Sequence, residues 1–326
     1  MEFTRFGRTN VMVSRIGLGA MSFGDKSWRP WVLEQEEATP VIRKALESGI
    51  NLIDTCDFYS AGASETILGN VLWEQVRRDE IVLATKAGNP MSKHVNGRGF
   101  SRKHLFEALD ASLRRLKTDH VDLFQTHIWD PTIDLEELVD AFDAIVRSGK
   151  ALYVGTAQVP AWSFVRGVCL AESRHKAVFR SLQCEYNPAH REAERELIPF
   201  CRDQGLAVIP FGPLARGFLA VDKRLEADWT DRDKTDDYTR KHYFRSGDFA
   251  VFDALATVAQ RHGTTPGVVS LAWTMRQPGV TAPLMGVETV AQVEAALGAL
   301  DLQLTDEDRR LIDAAYVPRP IKAGGH

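Results

Sequence analysis

The sequence predicts a (β/α)8 barrel, and three observations carry that prediction. Eight apolar runs of strand length recur along the chain, helical patterns separate them, and no composition break divides the 326 residues. The runs are RIGLGA (15–20), NLIDT (51–55), IVLATK (81–86), VDLFQTH (121–127), ALYVGTA (151–157), SLQCEY (181–186), LAVIPF (206–211) and TAPLMG (281–286). Most are rich in Val, Ile or Leu, as strands buried on both faces are. Strands alternating with helices are the rhythm of a parallel sheet. An open doubly wound sheet would carry a G-x-G-x-x-G turn, whereas Gly17 and Gly19 supply only a fragment with no helix directly after it. Eight units at this length fit one closed barrel domain over 1–326, preceded by an N-terminal β-hairpin.

The helical segments have readable ends. QEEATPVIRKALESG (35–49) keeps apolar residues at helical spacing and stops at Gly49, a C-terminal cap. SRKHLFEALDASLRRLK (101–117) opens on Ser101 as N-cap and keeps one apolar face. DLEELVDAFDAIVRSGK (134–150) stops at Gly149, and REAERELIPFCRDQG (191–205) at Gly205. After Tyr59, Ser64 and Glu65 open a further helix, with Ser64 as its N-cap. One long polar stretch, Lys223 to Asp248, follows the seventh strand. It reads as too charged for core, and so as a loop or short helices inserted over the barrel mouth. With few apolar anchors (Trp229, Tyr238, Tyr243 and Phe244), it is expected to be mobile without a ligand.

Bulk composition excludes several classes. A net charge of -4 without a Lys/Arg block gives no case for nucleic acid. No run approaches a membrane span, and the first residues lack the apolar core of a signal peptide. Cys56, Cys169, Cys184 and Cys201 form no CxxC pair, which reads as reduced thiols in a cytoplasmic protein. Cys56 is read as a packed small residue rather than a reactive one.

Barrel chemistry sits where the strands end. The second strand ends in Asp54, the third in Lys86 and the fourth in His127; the sixth carries Gln183, Tyr186 and Asn187. Each has a plain explanation alone, as cap, snorkelling lysine or core histidine. Three adjacent strands ending this way would aim the side chains at one volume. A buried lysine needs a partner, which Asp54 can supply. A tyrosine beside that ammonium, Tyr59, has its pKa pulled down. With an imidazole in reach, the set can polarise a carbonyl and protonate its oxygen. It holds no nucleophile, and the nine histidines show no metal-ligand spacing. A bound hydride donor would complete the chemistry.

These residues and their contexts resemble the aldo-keto reductases along the whole chain. The matching stretches are FGRTNVMVSRIGLGAMSFG (6–24), DTCDFYSAGASETILG (54–69), ATKAG (84–88), DLFQTHIWDP (122–131), SLQCEYNP (181–188), IPFGPLARGFL (209–219) and PLMGVETVAQVEAAL (283–297). Within that family the chain looks most similar to bacterial enzymes related to potassium-channel β-subunits. The resemblance implies Tyr59 as general acid, Lys86 and Asp54 as the pair that lowers its pKa, and His127 as the group orienting the carbonyl. It also implies a nicotinamide cofactor bound across the mouth without a Rossmann fold. The cofactor site would include Gly19, Met21, Asp54, Gln158, Gln183, Phe211, Gly212, Pro213, Leu214, Arg216, Gly217, Gly286, Glu288 and Gln292.

The chain departs from the family pattern at several of these positions. The fifth strand of relatives ends Gly-x-Ser-Asn, holding the carboxamide; here Ala157 and Gln158 stand there, and Gln183 is kept. The seventh strand of relatives ends Tyr-Ser-Pro-Leu. Here Phe211 keeps the stacking ring and Gly212 loses a hydroxyl, leaving backbone N–H groups from Leu214 to Gly217 for a pyrophosphate. After the eighth strand, Glu288 replaces Arg or Ser, Gln292 is kept and Ala296 replaces Asn. NADP(H) is therefore the family default, and NAD(H) a live alternative. Phe23, Trp28, Trp31, Phe58 and Trp129 are expected to rim a substrate pocket for a small carbonyl or alcohol, with loop anchoring as the competing explanation. Two other functions stay open: a cofactor-holding redox-sensing module of the channel β-subunit type, and a sugar-phosphate lyase or synthase with Lys86 as Schiff-base lysine.

Overall fold

A computed structural model of the chain describes residues 1–319. Ten strands are present: β1 (Phe3–Arg5), β2 (Met12–Ser14), β3 (Gly17–Gly19), β4 (Leu52–Asp54), β5 (Val82–Gly88), β6 (Val121–His127), β7 (Ala151–Ala157), β8 (Phe179–Gln183), β9 (Ala207–Val208) and β10 (Leu284–Gly286). The helices are α1 (Gln35–Glu47), α2 (Ala63–Gln75), α3 (Arg102–Leu116), α4 (Leu135–Arg147), α5 (Ala161–Ser173), α6 (Leu197–Gln204), α7 (Asp231–Thr235), α8 (Asp237–His242), α9 (Ser246–His262), α10 (Pro266–Met275), α11 (Val290–Asp301) and α12 (Asp306–Ala315).

β3 to β10 form one parallel sheet in the order β10-β3-β4-β5-β6-β7-β8-β9. Its edges meet: Thr281 N–H donates to Val208 O at 2.8 Å and Leu284 N–H to Pro210 O at 2.7 Å, so the sheet closes. Strand alternation sorts the side chains. Leu52, Val82, Ala84, Leu123, Ala207, Ile209, Ala282 and Leu284 pack together inside the barrel. Their neighbours of opposite parity, Ile53, Leu83 and Phe124, pack outward into the helical layer. Two residues along, the inward positions turn polar: Asp54, Lys86 and Gln125. The barrel is thus apolar below and ionic at its C-terminal end.

The antiparallel pair β1–β2 closes the other end, with Phe6 and Val13 joining the inner apolar cluster. Gly7, at φ +57°, lets the hairpin settle there. A Cβ would lie 2.6 Å from Gly205 O, the acceptor of Arg8 N–H.

The expected helices form, with two changes. Ser101 caps α3, accepting from His104 N–H at 3.2 Å. Gly49, Gly149 and Gly205 take positive φ just past α1, α4 and α6. The 191–205 segment is broken, with a 3-10 turn at Glu192–Glu194 before α6. Ser64 does not cap α2: the N-cap is Gly62, at φ +93°, and Ser64 lies inside the helix donating to Ala20 O at 2.8 Å. Its hydroxyl ties α2 to the loop after β3 instead.

The polar insertion is short helices, as expected, but it is not all surface. Lys223, Asp233, Asp236 and Asp248 are buried. Charge enters because each is paired: Lys223 with Asp233 at 2.5 Å, Arg216 with Asp236 at 2.7 Å, Arg319 with Asp248 at 2.9 Å. Tyr243 is fully buried and stacks on Phe218 at 5.7 Å. Tyr238 and Tyr243 donate to the two oxygens of Glu185, just beyond β8, at 2.6 and 2.5 Å. The second half of the insertion is therefore latched to the barrel by the two tyrosine hydrogen bonds to Glu185.

Candidate active site at the barrel mouth

Asp54, Lys86 and His127 end or nearly end three adjacent strands, and Tyr59 follows β4 on a 3-10 turn (Tyr59–Gly62). The structure brings all four together. Lys86 Nζ donates to Asp54 Oδ1 at 2.5 Å and to Thr55 O at 2.7 Å, and lies 3.5 Å from Tyr59 Oη. Asp54 Oδ2 accepts from Gln125 Nε2 at 3.2 Å and Gln183 Nε2 at 3.0 Å. The Tyr59 and His127 rings meet edge to face at 5.9 Å.

Burial dominates the electrostatics. Lys86 is completely buried, which opposes its charge, yet Asp54, Tyr59 and Cys56 together outweigh this and hold the ammonium above its ordinary pKa. Burial pushes Asp54 up, while Lys86 and the two amides pull it back. Tyr59 corrects the sequence expectation. Lys86 does lower its pKa, but desolvation is larger and the phenol is pushed up to about 12. His127 falls to about 3, through burial first and Lys86 second, so its imidazole is neutral. Its Nδ1 lies 3.1 Å from Cys56 Sγ and 3.1 Å from Asn89 Nδ2. Cys56 is fully buried and its thiol pKa is raised by burial, so it is a packed thiol.

The expected cofactor positions gather on one rim. Gly19 pairs in register with Asp54 and Gly286, and Met21 follows in a 3-10 turn (Ala20–Ser22). Gln158, at φ +52°, donates its N–H to Gln183 O. Gln183 spends its amide nitrogen on Asp54. Phe211 bridges β8 and β10 through Glu185 and Leu284. In the Gly212–Gly217 turn, Ala215 and Gly217 N–H bond back to Gly212 O and Leu214 O. They are spent within the turn, so the backbone nest is smaller than expected. Pro213 O accepts from Ser270 Oγ at 2.6 Å.

Three arginines cluster on the same rim. Arg216, Arg29 and Arg232 converge on Asp236 Oδ2, at 2.7, 3.8 and 3.8 Å. Arg232 also pairs with Glu288 Oε1 at 2.9 Å and lies over the Trp31 ring at 4.2 Å. Glu288 N–H donates to Gln292 Oε1 at 2.6 Å. Buried donors Arg29 Nη1, Arg232 Nε and Trp31 Nε1 have no hydrogen-bond partner.

The aromatic wall is only partly as expected. Phe23 is wholly buried and packs in the core. Trp31 is buried beneath Arg232. Both turn inward because the loop after β3 folds onto its neighbours: Phe23 pairs with Leu33, and Gly24 N–H donates to Leu33 O. Trp28 and Phe58 meet edge to face at 6.2 Å and stay partly open. Trp129 rests on Phe100 at 6.3 Å. Tyr186 and Asn187 are structural: Tyr186 donates to Glu194, and Asn187 Nδ2 to Gly212 O and Tyr243 Oη.

Gln125, Asn89, Arg29 and Arg232 were not singled out from the sequence. Gln125 had a signal, since it shares strand parity with His127. The others lie in loops or in the insertion, where no periodicity applies.

Among the described residues no group of three His, Cys, Asp or Glu could hold a metal, and no helix is long and apolar enough to cross a membrane. The model of the Aldo/keto reductase family matches residues 15–317. Versiconal hemiacetal acetate reductase of Aspergillus parasiticus is 34% identical, over 99% of this chain and 99% of the relative. Aldo-keto reductase dtxS3 of Metarhizium robertsii is 32% identical, over 100% and 93%. Uncharacterized oxidoreductase YrpG of Bacillus subtilis is 33% identical, over 97% and 96%.

Proposed function

We propose, since this chain belongs to the aldo/keto reductase family and is an oxidoreductase, that it interconverts a carbonyl and an alcohol with Tyr59 as the proton donor and acceptor. The supporting observation is the Asp54–Lys86–Tyr59 chain, with Lys86 Nζ 2.5 Å from the carboxylate and 3.5 Å from the phenol. The phenol is protonated at neutral pH, as a general acid in reduction must be. Once the proton leaves, the ammonium faces the phenolate, and Asp54 keeps that ammonium charged. Neutral His127 hydrogen-bonds the carbonyl oxygen and orients it.

The rim fits a dinucleotide. The donors of Arg29 and Arg232, ion-paired with Asp236 at 3.8 Å but making no hydrogen bond, suit a phosphate, Phe211 suits a stacked ring, and Gln158 suits a carboxamide. Such a group, when bound, supplies the hydride that the protein's own side chains cannot. Glu288 places a carboxylate where relatives put Arg or Ser. It disfavours a ribose 2′-phosphate, so preference for NADP(H) over NAD(H) is weak or reversed. Trp28, Phe58 and Trp129 form the open part of the substrate wall.

The test is a screen of purified protein with NADH and NADPH against aldehydes, ketones and sugars, following nicotinamide oxidation. Turnover with at least one carbonyl, lost in Tyr59→Phe, is expected. Turnover that persists in Tyr59→Phe would sink the assignment.

A further inference from the structure

We infer that Asn89 is a positioning residue for His127, whose amide fixes the imidazole in the tautomer with its proton on Nε2. The inference rests on the reading above that His127 donates to the substrate oxygen.

Asn89 directly follows β5 and is buried. It can approach because Gly88 precedes it, at φ +135°; a Cβ there would lie 2.6 Å from His127 O. Asn89 Nδ2 sits 3.1 Å from His127 O and 3.1 Å from His127 Nδ1. A backbone carbonyl only accepts, so the amide atom facing it must be the nitrogen. That settles the amide's orientation by its bonding rather than by the similar shapes of its two ends. An amide nitrogen only donates, so Nδ1 must offer a lone pair. A neutral imidazole carries one proton, which therefore resides on Nε2.

The second neighbour leaves the choice to Asn89, because its single thiol proton has three acceptors in reach. Cys56 Sγ is 3.1 Å from Nδ1, and its thiol is protonated. Its other contacts, Asp57 Oδ1 at 3.3 Å and Lys86 O at 3.6 Å, both accept. A proton on Nδ1 would face the amide N–H of Asn89. The Nε2–H is left at the far edge of the ring, free to donate to a carbonyl oxygen.

Two variants separate this role from packing. Asn89→Asp nearly conserves shape but turns the donor into an acceptor. Asn89→Leu removes the polar group altogether. The full-length protein, labelled with ¹⁵N-histidine, is observed by NMR at neutral pH, with His127 assigned by difference against His127→Asn. Steady-state kcat and KM are measured with NADH or NADPH and a carbonyl found in the screen. Wild type should show Nδ1 unprotonated. Asn89→Asp should move the proton to Nδ1 and lower kcat at least tenfold, with little change in KM for the dinucleotide. Asn89→Leu should lose less activity than Asn89→Asp, and Asn89→Gln should recover part of it. An Asn89→Asp protein that keeps the proton on Nε2 overturns the inference, as does Asn89→Leu being the worse of the two. A moved proton with unchanged kcat would instead overturn the part given to His127 in the reaction.

Discussion

Two ionic clusters lie a short distance apart at the barrel mouth, and they are built on opposite terms. The floor is Asp54, Lys86, Gln125 and Gln183. It is wholly buried, and both Asp54 oxygens and the Lys86 ammonium are bonded. The rim is Arg29, Arg216, Arg232, Asp236 and Glu288. It carries three guanidinium groups against two carboxylates, and buried N–H groups of Arg29 and Arg232 make no hydrogen bond, meeting Asp236 only as 3.8 Å ion pairs. A buried ion pair is tolerable when its bonds are complete, and a donor left over in a buried cluster costs free energy until an acceptor arrives. The Asp54–Lys86 pair of the floor is fully bonded as folded, with Gln125 Oε1 left without a hydrogen bond, whereas on the rim it is charged donors that lack one. In the function proposed above, proton chemistry belongs to the floor and affinity for the dinucleotide to the rim.

Breaking the floor should give the largest effects. Tyr59→Phe should lower carbonyl turnover by roughly 10²–10⁴-fold while dinucleotide binding, followed by fluorescence titration, stays within a few-fold. Lys86→Met should be nearly inactive as well and also less stable, by about 3–5 kcal/mol in a denaturant titration, because Asp54 keeps a buried charge without its partner. Equal stability of the two proteins would show that water reaches the floor.

Asp57, behind the floor, sharpens the same contrast. It is fully buried, its Oδ2 has no partner, and burial followed by Glu65 pushes its carboxyl up to about 7. A folded-state pKa above the unfolded value gives stability that is present at low pH and lost as pH rises through about 7. His127, held down to about 3, works the other way: its contribution is present above the unfolded value and lost as pH falls toward 3. Asp57→Asn should therefore raise the melting temperature at pH 8 and change it little near pH 4. The gain is bounded by about 4 kcal/mol for a shift of roughly three units. A gain that is the same at both pH values would mean the Asp57 carboxylate is solvated.

The rim should respond in affinity rather than rate. Arg232→Ala should weaken dinucleotide binding by about ten- to a hundredfold, the worth of a charged hydrogen bond, with kcat at saturation nearly unchanged. Glu288→Arg should shift kcat/KM toward NADPH by about tenfold, on the order of 1.4 kcal/mol. Glu288→Gln is the control, since either change also releases Arg232 from its 2.9 Å partner. A wild type preferring NADPH by several hundredfold would remove the assigned effect of Glu288. The smallest effect concerns the insertion. Trypsin should cut near the exposed Leu225 before it cuts the latched stretch around Tyr243, and dinucleotide should slow the first cut only a few-fold.

The floor was legible in the sequence because strand parity and strand ends are periodic signals. Asp54, Lys86 and His127 could be placed at the mouth from their positions in apolar runs. The net direction of the Tyr59 shift was not legible, because desolvation depends on how much chain closes around the phenol. On the rim, Arg216 and Glu288 were legible through the family resemblance, whereas Arg29, Arg232 and Asp236 were not. Pairing between Arg232 and Glu288, 56 residues apart, has no local signature. Phe23 and Trp31 misled for the same reason, since a loop aromatic is wall or anchor according to tertiary contacts. Ser64 fell two residues inside the helix, away from its expected task, because Gly62 takes the left-handed cap instead.

The β1–β2 hairpin that stoppers the apolar end of the barrel also decides how this protein should be attached to anything else. Phe6 and Val13 put the hairpin at the end away from the mouth, with Phe3 and Met12 exposed to solvent. Arg319 sits near the mouth instead, bonded to His242 O, Ala189 O and Asp248. A bead, electrode or fused partner joined at the hairpin would hold the barrel mouth toward bulk solution. The same partner joined beside Arg319 would crowd the insertion. For immobilisation, the two attachment points are not equivalent, and the hairpin is the one to use.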